Sequence, residues 1–316
     1  MGHPATIGFG FSSTVEAMGH PWWAMPARGC GRLTHGGWFS TIACVLLLLW
    51  GTGCSTAQRV DVAAPSGERV AEPVAYADTA WITVLRENVK AGLVDYRHLV
   101  EHRAPLDTYL AMLARFGPAS TPDQFAAPDA ALAYYVNAHN ACVLVAVIRA
   151  GVPVTMYDLT LPSLETGYRF EVDGAPRTLG ELRDLARAQA RDARVEFAFC
   201  AAARGAPQLA REPYRAFDVR ARMQRLAARA MSDPRLVRID HEKGKLLIGV
   251  PIWSRREDFL ATYRRETGSA SATVLNCLMH LAAGPRREYL VRATGYPQQV
   301  MPFDRTLDAW KPNREQ

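Results

Sequence analysis

Polar residues almost vanish from one stretch of the chain. Between Ala130 and Ile148 only Asn137, His139 and Asn140 interrupt an apolar run, with Pro128 and Asp129 ahead of it and Gly151 behind it. Proline near a helix start and glycine just past its end are the expected punctuation, so the pattern predicts a helix over 129–150. A helix apolar nearly all round belongs either in a membrane or at the centre of a core. Three polar side chains at mid-depth weigh against lipid, where each costs about 1–3 kcal/mol or more. The expectation is a buried central helix.

Elsewhere the periodicity is amphipathic. Trp81, Leu85 and Val89 recur every four residues behind Asp78, and Leu106, Tyr109, Leu110 and Leu113 mark a second helix entered at Pro105 and stopped at Gly117-Pro118. Asp173-Gly174 between Tyr168–Val172 and Ala175–Arg177 reads as a hairpin turn. Thr178 with Glu181, and Ser254 with Glu257, have the spacing of capping boxes, the second opening a helix over Arg255–Thr267. Val195–Cys200 alternates like a strand, Asp218 precedes an arginine-studded helix to Met231, and Leu236–Asp240 with Lys245–Val250 reads as a second hairpin. Ser271 is expected to cap a helix through Ala283, and Val300–Phe303 to form a last short strand. Helices followed by hairpins interleaved with helices indicate an α+β fold, helix-rich, with a small mixed sheet or hairpins around the central helix.

The amino-terminal part has a different character. Thr41–Trp50 is an apolar run of ten residues, preceded by Arg28 and Arg32 and followed by Gly51-Thr52-Gly53-Cys54. That order is the anatomy of a secretory signal, and the run is short for a membrane span. Residues 1–53 are therefore expected to be a signal peptide. Residues 1–24 lengthen it unusually, and Met25 would start a signal of ordinary size. The cysteine after small residues resembles the lipobox of bacterial lipoproteins, which implies acylation at Cys54, and Ser55 beside it resembles the outer-membrane sorting pattern. Residues 54–77, rich in Ala, Pro, Ser, Glu and Val, suit a tether, leaving 78–316 as a single domain held on a membrane through a lipid anchor and facing the periplasm.

Charge narrows the partners. The net charge is +6, yet only four of the 37 basic residues are lysine, and the arginines alternate with acids, as in Arg255-Arg256-Glu257-Asp258. A clustered basic face with exposed aromatics is missing, so nucleic acid is not an expected partner. No C-x-x-C pair, Gly-rich phosphate loop, G-x-S-x-G or EF-hand occurs, so no metal or cofactor is expected.

Three groups of residues could carry chemistry. Tyr134, Asn137 and Asn140 share one face of the central helix and could line a pocket for a small molecule or peptide, or else pin neighbouring backbone. Cys200 ends an apolar segment and enters a loop of small residues, where a strand-end thiol could serve as nucleophile with a histidine such as His139, His241 or His280 as base; the ordinary alternative is a buried apolar thiol. His98-Leu99-Val100-Glu101-His102 matches the inverted zinc-protease pattern, but Pro105 leaves it barely two helical turns. Cys142 and Cys277 lie within apolar helical runs and read as core.

Ala133-Tyr134-Tyr135-Val136-Asn137-Ala138-His139-Asn140-Ala141 resembles the signature of the domain of unknown function 547 family. Gly92–Tyr96, Thr178-Leu179, Phe197–Cys200, Pro251–Trp253 with Asp258-Phe259, and Phe303–Asp308 fall in that family's order. The resemblance spans about Trp81–Trp310 and implies an uncharacterised envelope domain. Against the family's pattern His139 replaces a tyrosine, Arg183-Asp184 replace Glu-His, Gly205 replaces a second cysteine, and Arg305 and Asp308 alter the closing motif. An aspartate at 184 would disfavour a Cys200 thiolate if it lay close. The leading expectation is an exported lipoprotein acting as a small-molecule or peptide-binding module. Its rivals are a thiol-dependent hydrolase or acyltransferase using Cys200 and, more weakly, a zinc hydrolase. Mass spectrometry of the mature amino terminus should show an acylated Cys54, since stable anchoring needs more than one chain; an unmodified start at another residue would refute the anchor.

Overall fold

A computed structural model describes residues 60–62 and 75–311, which belong to one compact unit spanning 53–316. The expected signal segment, Cys54 and most of the tether lie outside the described residues. In chain order, the strand β1 (Val60–Val62) precedes helix α1 (Thr79–Asn88). A two-residue hairpin, β2 (Val89–Lys90) and β3 (Leu93–Val94), leads to α2 (Tyr96–Glu101) and α3 (Ala104–Arg115). A 3-10 turn at Pro122–Phe125 precedes the central helix α4 (Ala130–Arg149). Next come β4 (Tyr168–Val172), β5 (Ala175–Arg177), α5 (Leu179–Ala190), a 3-10 stretch at Ala193–Ala198 and α6 (Val219–Ser232). The chain continues through β6 (Val237–Asp240), β7 (Lys245–Ile248), α7 (Val250–Trp253), α8 (Arg256–Thr267), α9 (Val274–Leu281), α10 (Pro285–Val291) and β8 (Gln298–Val300). The fold is α+β and helix-rich, with small sheets in the orders β1-β4-β5, β2-β3 and β6-β7-β8.

The core follows from α4. Every residue from Leu132 to Val147 is buried, and although the helix is long and apolar enough to cross a membrane, its most apolar window is 89% buried inside the body. Around it pack α1, α3, α5, β4 and the segment 197–206, contributing Trp81, Tyr109, Phe170 and Leu182 to one apolar cluster. A second cluster joins α6, β6, β7 and α7 to α10 through residues such as Met231, Ile248, Phe259 and Leu278. The 3-10 stretch belongs to both: Val195 and Ala198 feed the first cluster, Ala193 and Phe197 the second.

That stretch corrects the strand expected over 195–200. A strand would send 195, 197 and 199 to one face, whereas three residues per turn lets neighbouring side chains reach two cores. The Asp192 side chain starts the turn by accepting from the Arg194 N–H at 2.9 Å. Glu196, 4% exposed, is held by Arg187, whose Nε lies 2.6 Å from its carboxylate, with Arg183 and Arg255 each at 3.9 Å. Burial alone would raise the Glu196 pKa, but these guanidinium groups outweigh it and hold the carboxyl below its ordinary value.

Local signals fared unevenly elsewhere. The Thr178–Glu181 capping box forms in full. The Asp173-Gly174 hairpin forms too, with φ of 58° and 69° as a primed turn requires. Asp78 and Asp218 occupy cap positions without capping: their carboxylates take the Arg215 Nε and the Arg215 N–H respectively, each at 3.2 Å. Ser254 donates to the Val250 carbonyl at 2.7 Å instead of capping, and α8 begins at Arg256. Thr273 rather than Ser271 caps α9, which ends at Leu281, and the last strand is shifted to Gln298–Val300, where it lies parallel to β7.

Candidate functional site

The amides of α4 are used as backbone surrogates. Asn137 accepts from the Tyr214 N–H at 2.9 Å and donates to the Tyr214 carbonyl at 2.8 Å, and its oxygen also receives the Trp81 indole N–H at 3.3 Å. Asn140 donates to the Ala198 carbonyl at 2.9 Å and accepts from the Cys200 N–H at 3.0 Å. Each amide thus satisfies both a donor and an acceptor of a chain segment that passes the helix without a ladder partner. The Tyr134 hydroxyl donates to the Leu113 carbonyl at 3.0 Å. All three side chains are buried to within 2% and none lines the cleft described below, so their polar atoms hold structure together.

Cys200 and His139 meet at the same amide. The His139 Nδ1 lies 3.2 Å from the Asn140 oxygen that holds the Cys200 N–H, and its ring packs edge-on against Phe199 at 4.9 Å. Both residues are essentially inaccessible, at 1% and 2% exposure. Burial, followed by the nearby Asp308 charge, pushes the Cys200 thiol well above its ordinary pKa despite Arg183. Burial, followed by Arg183, pushes the His139 imidazole well below its own. The thiol therefore stays protonated and the ring neutral. Asp184 lies at the surface, paired with Arg187 at 2.8 Å, so the acid that bears on Cys200 is Asp308. His241 and His280 are engaged elsewhere, with the Tyr289 hydroxyl at 3.2 Å and the Glu266 carboxylate at 2.8 Å.

A carboxy-terminal strap closes the loop after Cys200. The Arg204 N–H donates to the Thr306 carbonyl and the Gly205 N–H to the Asp304 carbonyl, both at 2.9 Å. A Cβ on residue 205 would sit 2.8 Å from the Asp304 nitrogen, so the strap needs glycine where the 547-family pattern has cysteine. The strap also joins β3: the Val94 N–H donates to the Asp308 carbonyl at 2.9 Å and the Trp310 N–H to the Val94 carbonyl at 2.8 Å. Between these contacts the Asp308 carboxyl, 5% exposed, accepts a hydrogen bond from the Tyr96 hydroxyl at 2.7 Å. Burial pushes it up from 3.8 to about 6, against the pull of that hydroxyl. Nothing in the sequence beyond its place in the closing motif marked this residue.

The H-x-x-E-H residues fall on α2, a helix of six residues capped by Asp95, with His102 already past its end. The His98 and His102 rings stack at 4.2 Å; His98 Nδ1 meets the Asn88 amide oxygen at 2.8 Å and His102 Nδ1 the His98 carbonyl at 3.2 Å. Among the described residues no three His, Cys, Asp or Glu side chains are grouped to hold a metal ion.

An open concave site lies elsewhere, as a cleft of about 640 Å³ between the 207–212 segment, α6 and the turn leading to β6. Val89, Leu209, Leu226 and Leu236 line it together with Arg211, Arg222, Arg225, Arg229 and Arg235. Arginines at 222, 225 and 229 follow helical spacing, a signal present in the sequence as one face of the arginine-studded helix. What the sequence did not show is that the loop after Cys200 returns to face that stripe.

Comparison with known proteins finds no matching family model, no matching curated protein and no matching solved structure. The 547-family resemblance rests on the motifs quoted above.

Two measurements test this geometry. Replacing Asn140 with leucine strips partners from the Ala198 carbonyl and the Cys200 N–H, at roughly 1–3 kcal/mol for each group. Urea unfolding should show a loss of at least about 2 kcal/mol; an unchanged midpoint would mean that the amide does not bridge these groups. For Asp308 the folded pKa lies above the unfolded one, so the folded state binds more protons between about pH 4 and 6 and loses stability as pH rises through that window. Asp308→Asn keeps an acceptor for Tyr96 and removes the penalty. It should add about 2–3 kcal/mol at neutral pH and nothing near pH 4, in pH-resolved thermal melts. A gain equal at both pH values would refute the buried carboxyl.

Proposed function

We propose that this chain is an exported, lipid-anchored binding module of the cell envelope, akin to the domain of unknown function 547 family. It takes a small molecule or peptide in the cleft between the 207–212 segment and α6. One observation carries this reading: the thiol and imidazole that covalent chemistry would need are both buried in their uncharged forms. A nucleophilic cysteine requires a lowered pKa and access to substrate. Cys200 has the reverse of each. The meeting of His139 and Cys200 at Asn140 is what favours a thiol-dependent hydrolase or acyltransferase, but Asn140 takes the Cys200 backbone N–H, so that contact orients chain and not sulfur. His102 lies past the end of the six-residue α2, short of the helix that the zinc-protease pattern needs, which weighs against the zinc-hydrolase reading.

The cleft has the dimensions expected of a ligand site, within the roughly 300–1,000 Å³ typical of such pockets. Its walls come from a helix and from a loop pinned at Tyr214 by Asn137, so it is formed before any ligand arrives. Competitive alkylation of the folded mature protein by iodoacetamide at neutral pH, followed by peptide mapping, tests the non-catalytic reading. Cys142, Cys200 and Cys277 should all react at least about 100-fold more slowly than an exposed thiol, because each must wait for opening of the core. Selective modification of Cys200 would overturn the binding module in favour of the thiol enzyme.

A further inference from the structure

We infer that the cleft beside α6 binds an amphipathic anion, its oxyanion head held by Arg225 and Arg229 and its apolar body laid along Leu209, Leu226 and Leu236. The inference rests on the reading of that cleft as the ligand site and adds the ligand's chemical class. Arg222, Arg225 and Arg229 occupy one stripe of α6 at spacings of three and four, and all three line the cleft. Like charges so spaced on a helix repel by a few tenths of a kcal/mol, a cost that an anion between them removes.

The arginines of the cleft divide by what they already hold. Arg222 donates to the Pro213 carbonyl and, at 2.9 Å, to the Glu212 carbonyl, and its guanidinium stacks on Tyr214 at 4.2 Å. Arg235 is paired with Asp233 at 2.5 Å and donates to the Arg204 carbonyl at 2.9 Å. These two build the walls, and Arg211 donates to the Arg86 carbonyl at 3.4 Å. Arg225 and Arg229 are exposed and make no hydrogen bond or ion pair among the described residues. Of the three acids in the cleft, Asp233 is taken by Arg235, while Asp218, which accepts only the Arg215 backbone N–H, and Glu212 on the facing wall have no side-chain partner. Five arginines against three acids leave the cleft net positive, and at Arg225 and Arg229 that charge is offered as guanidinium forks, which match the paired oxygens of a carboxylate, phosphate or sulfonate.

The apolar side chains decide against a bare inorganic ion. Leu209 and Leu236 are buried at the base of the cleft and Leu226 is half-buried on the same helix as the arginines, so a ligand seated on the arginines meets hydrocarbon next to them. A concave site of this size admits one molecule, not the face of a bilayer.

Fluorescence titration with two probes of nearly the same shape tests this: anilinonaphthalenesulfonate, which carries an anionic head, and phenylnaphthylamine, which does not. The mature protein should bind the sulfonate more tightly, and Arg225→Gln/Arg229→Gln should weaken that binding about tenfold or more while leaving the neutral probe unaffected. Arg238→Gln, on β6 outside the cleft, should change neither. Circular dichroism of the double variant should match the parent, since both side chains are exposed. If the two probes bind equally and the double variant changes neither, the cleft binds ligands without preferring anions, and the inference fails while the binding module stands. If neither probe binds, both fail. A short-chain alkyl phosphate below its micelle concentration should displace the sulfonate and anionic vesicles should not; the reverse order would place the contact at a membrane surface and overturn a single-molecule site.

Discussion

A central helix wrapped on all sides by the rest of the chain imposes one demand: segments crossing it must find hydrogen-bond partners without water. Two amides meet that demand. Asn137 pairs with both backbone groups of Tyr214, and Asn140 bridges the Ala198 carbonyl and the Cys200 N–H. Because an unpaired buried backbone group costs about as much as a side-chain contact provides, these positions tolerate little besides a side chain with a donor and an acceptor on one planar group. Removing either amide would release a loop, not merely a contact.

The two anchored segments have different fates. The one at Ala198–Cys200 is buried, and there the surroundings disfavour the charged forms of thiol and imidazole. Burial opposes thiolate and imidazolium alike, and the charge of Asp308 adds to the cost of the thiolate. Glu196, also buried, keeps its charge because guanidinium groups pair with it. Gly205 allows the strap to lie against the loop, and the strap in turn ties the loop to β3.

The segment at Tyr214 runs outward. Held by Asn137 on one side and by Arg222 stacked on its ring on the other, it fixes one wall of the cleft relative to α6. The interior amide and the surface arginine stripe are thus parts of one construction: the core determines where the loop passes, and the passage of the loop turns an exposed cationic helix face into a concave site.

Much of the fold was legible because it depends on neighbours in sequence. The central helix is marked by composition, the Asp173-Gly174 hairpin by a turn that needs positive φ, and the α5 start by a capping box whose partners sit three residues apart. The failures share a cause. The segment 195–200 alternates like a strand, but the nearness of two cores puts a 3-10 stretch over Ala193–Ala198; Asp78 and Asp218 stand at helix starts, but Arg215 claims their carboxylates. Of the candidate site, the sequence by itself identified the amides, Cys200 and His139 as residues to examine and the arginine spacing of α6 as a pattern. It could not say that the amides would spend their bonding on backbone, that Cys200 would be buried and the loop after it tied to a strap from residues 304–308, or that a loop would return opposite Arg225 and Arg229. The first two of those outcomes rest on groups brought together across 58 to 212 positions of chain. Side-chain identity and spacing determine what a residue can do locally; only the packed structure decides which partner, water or protein, it does it with.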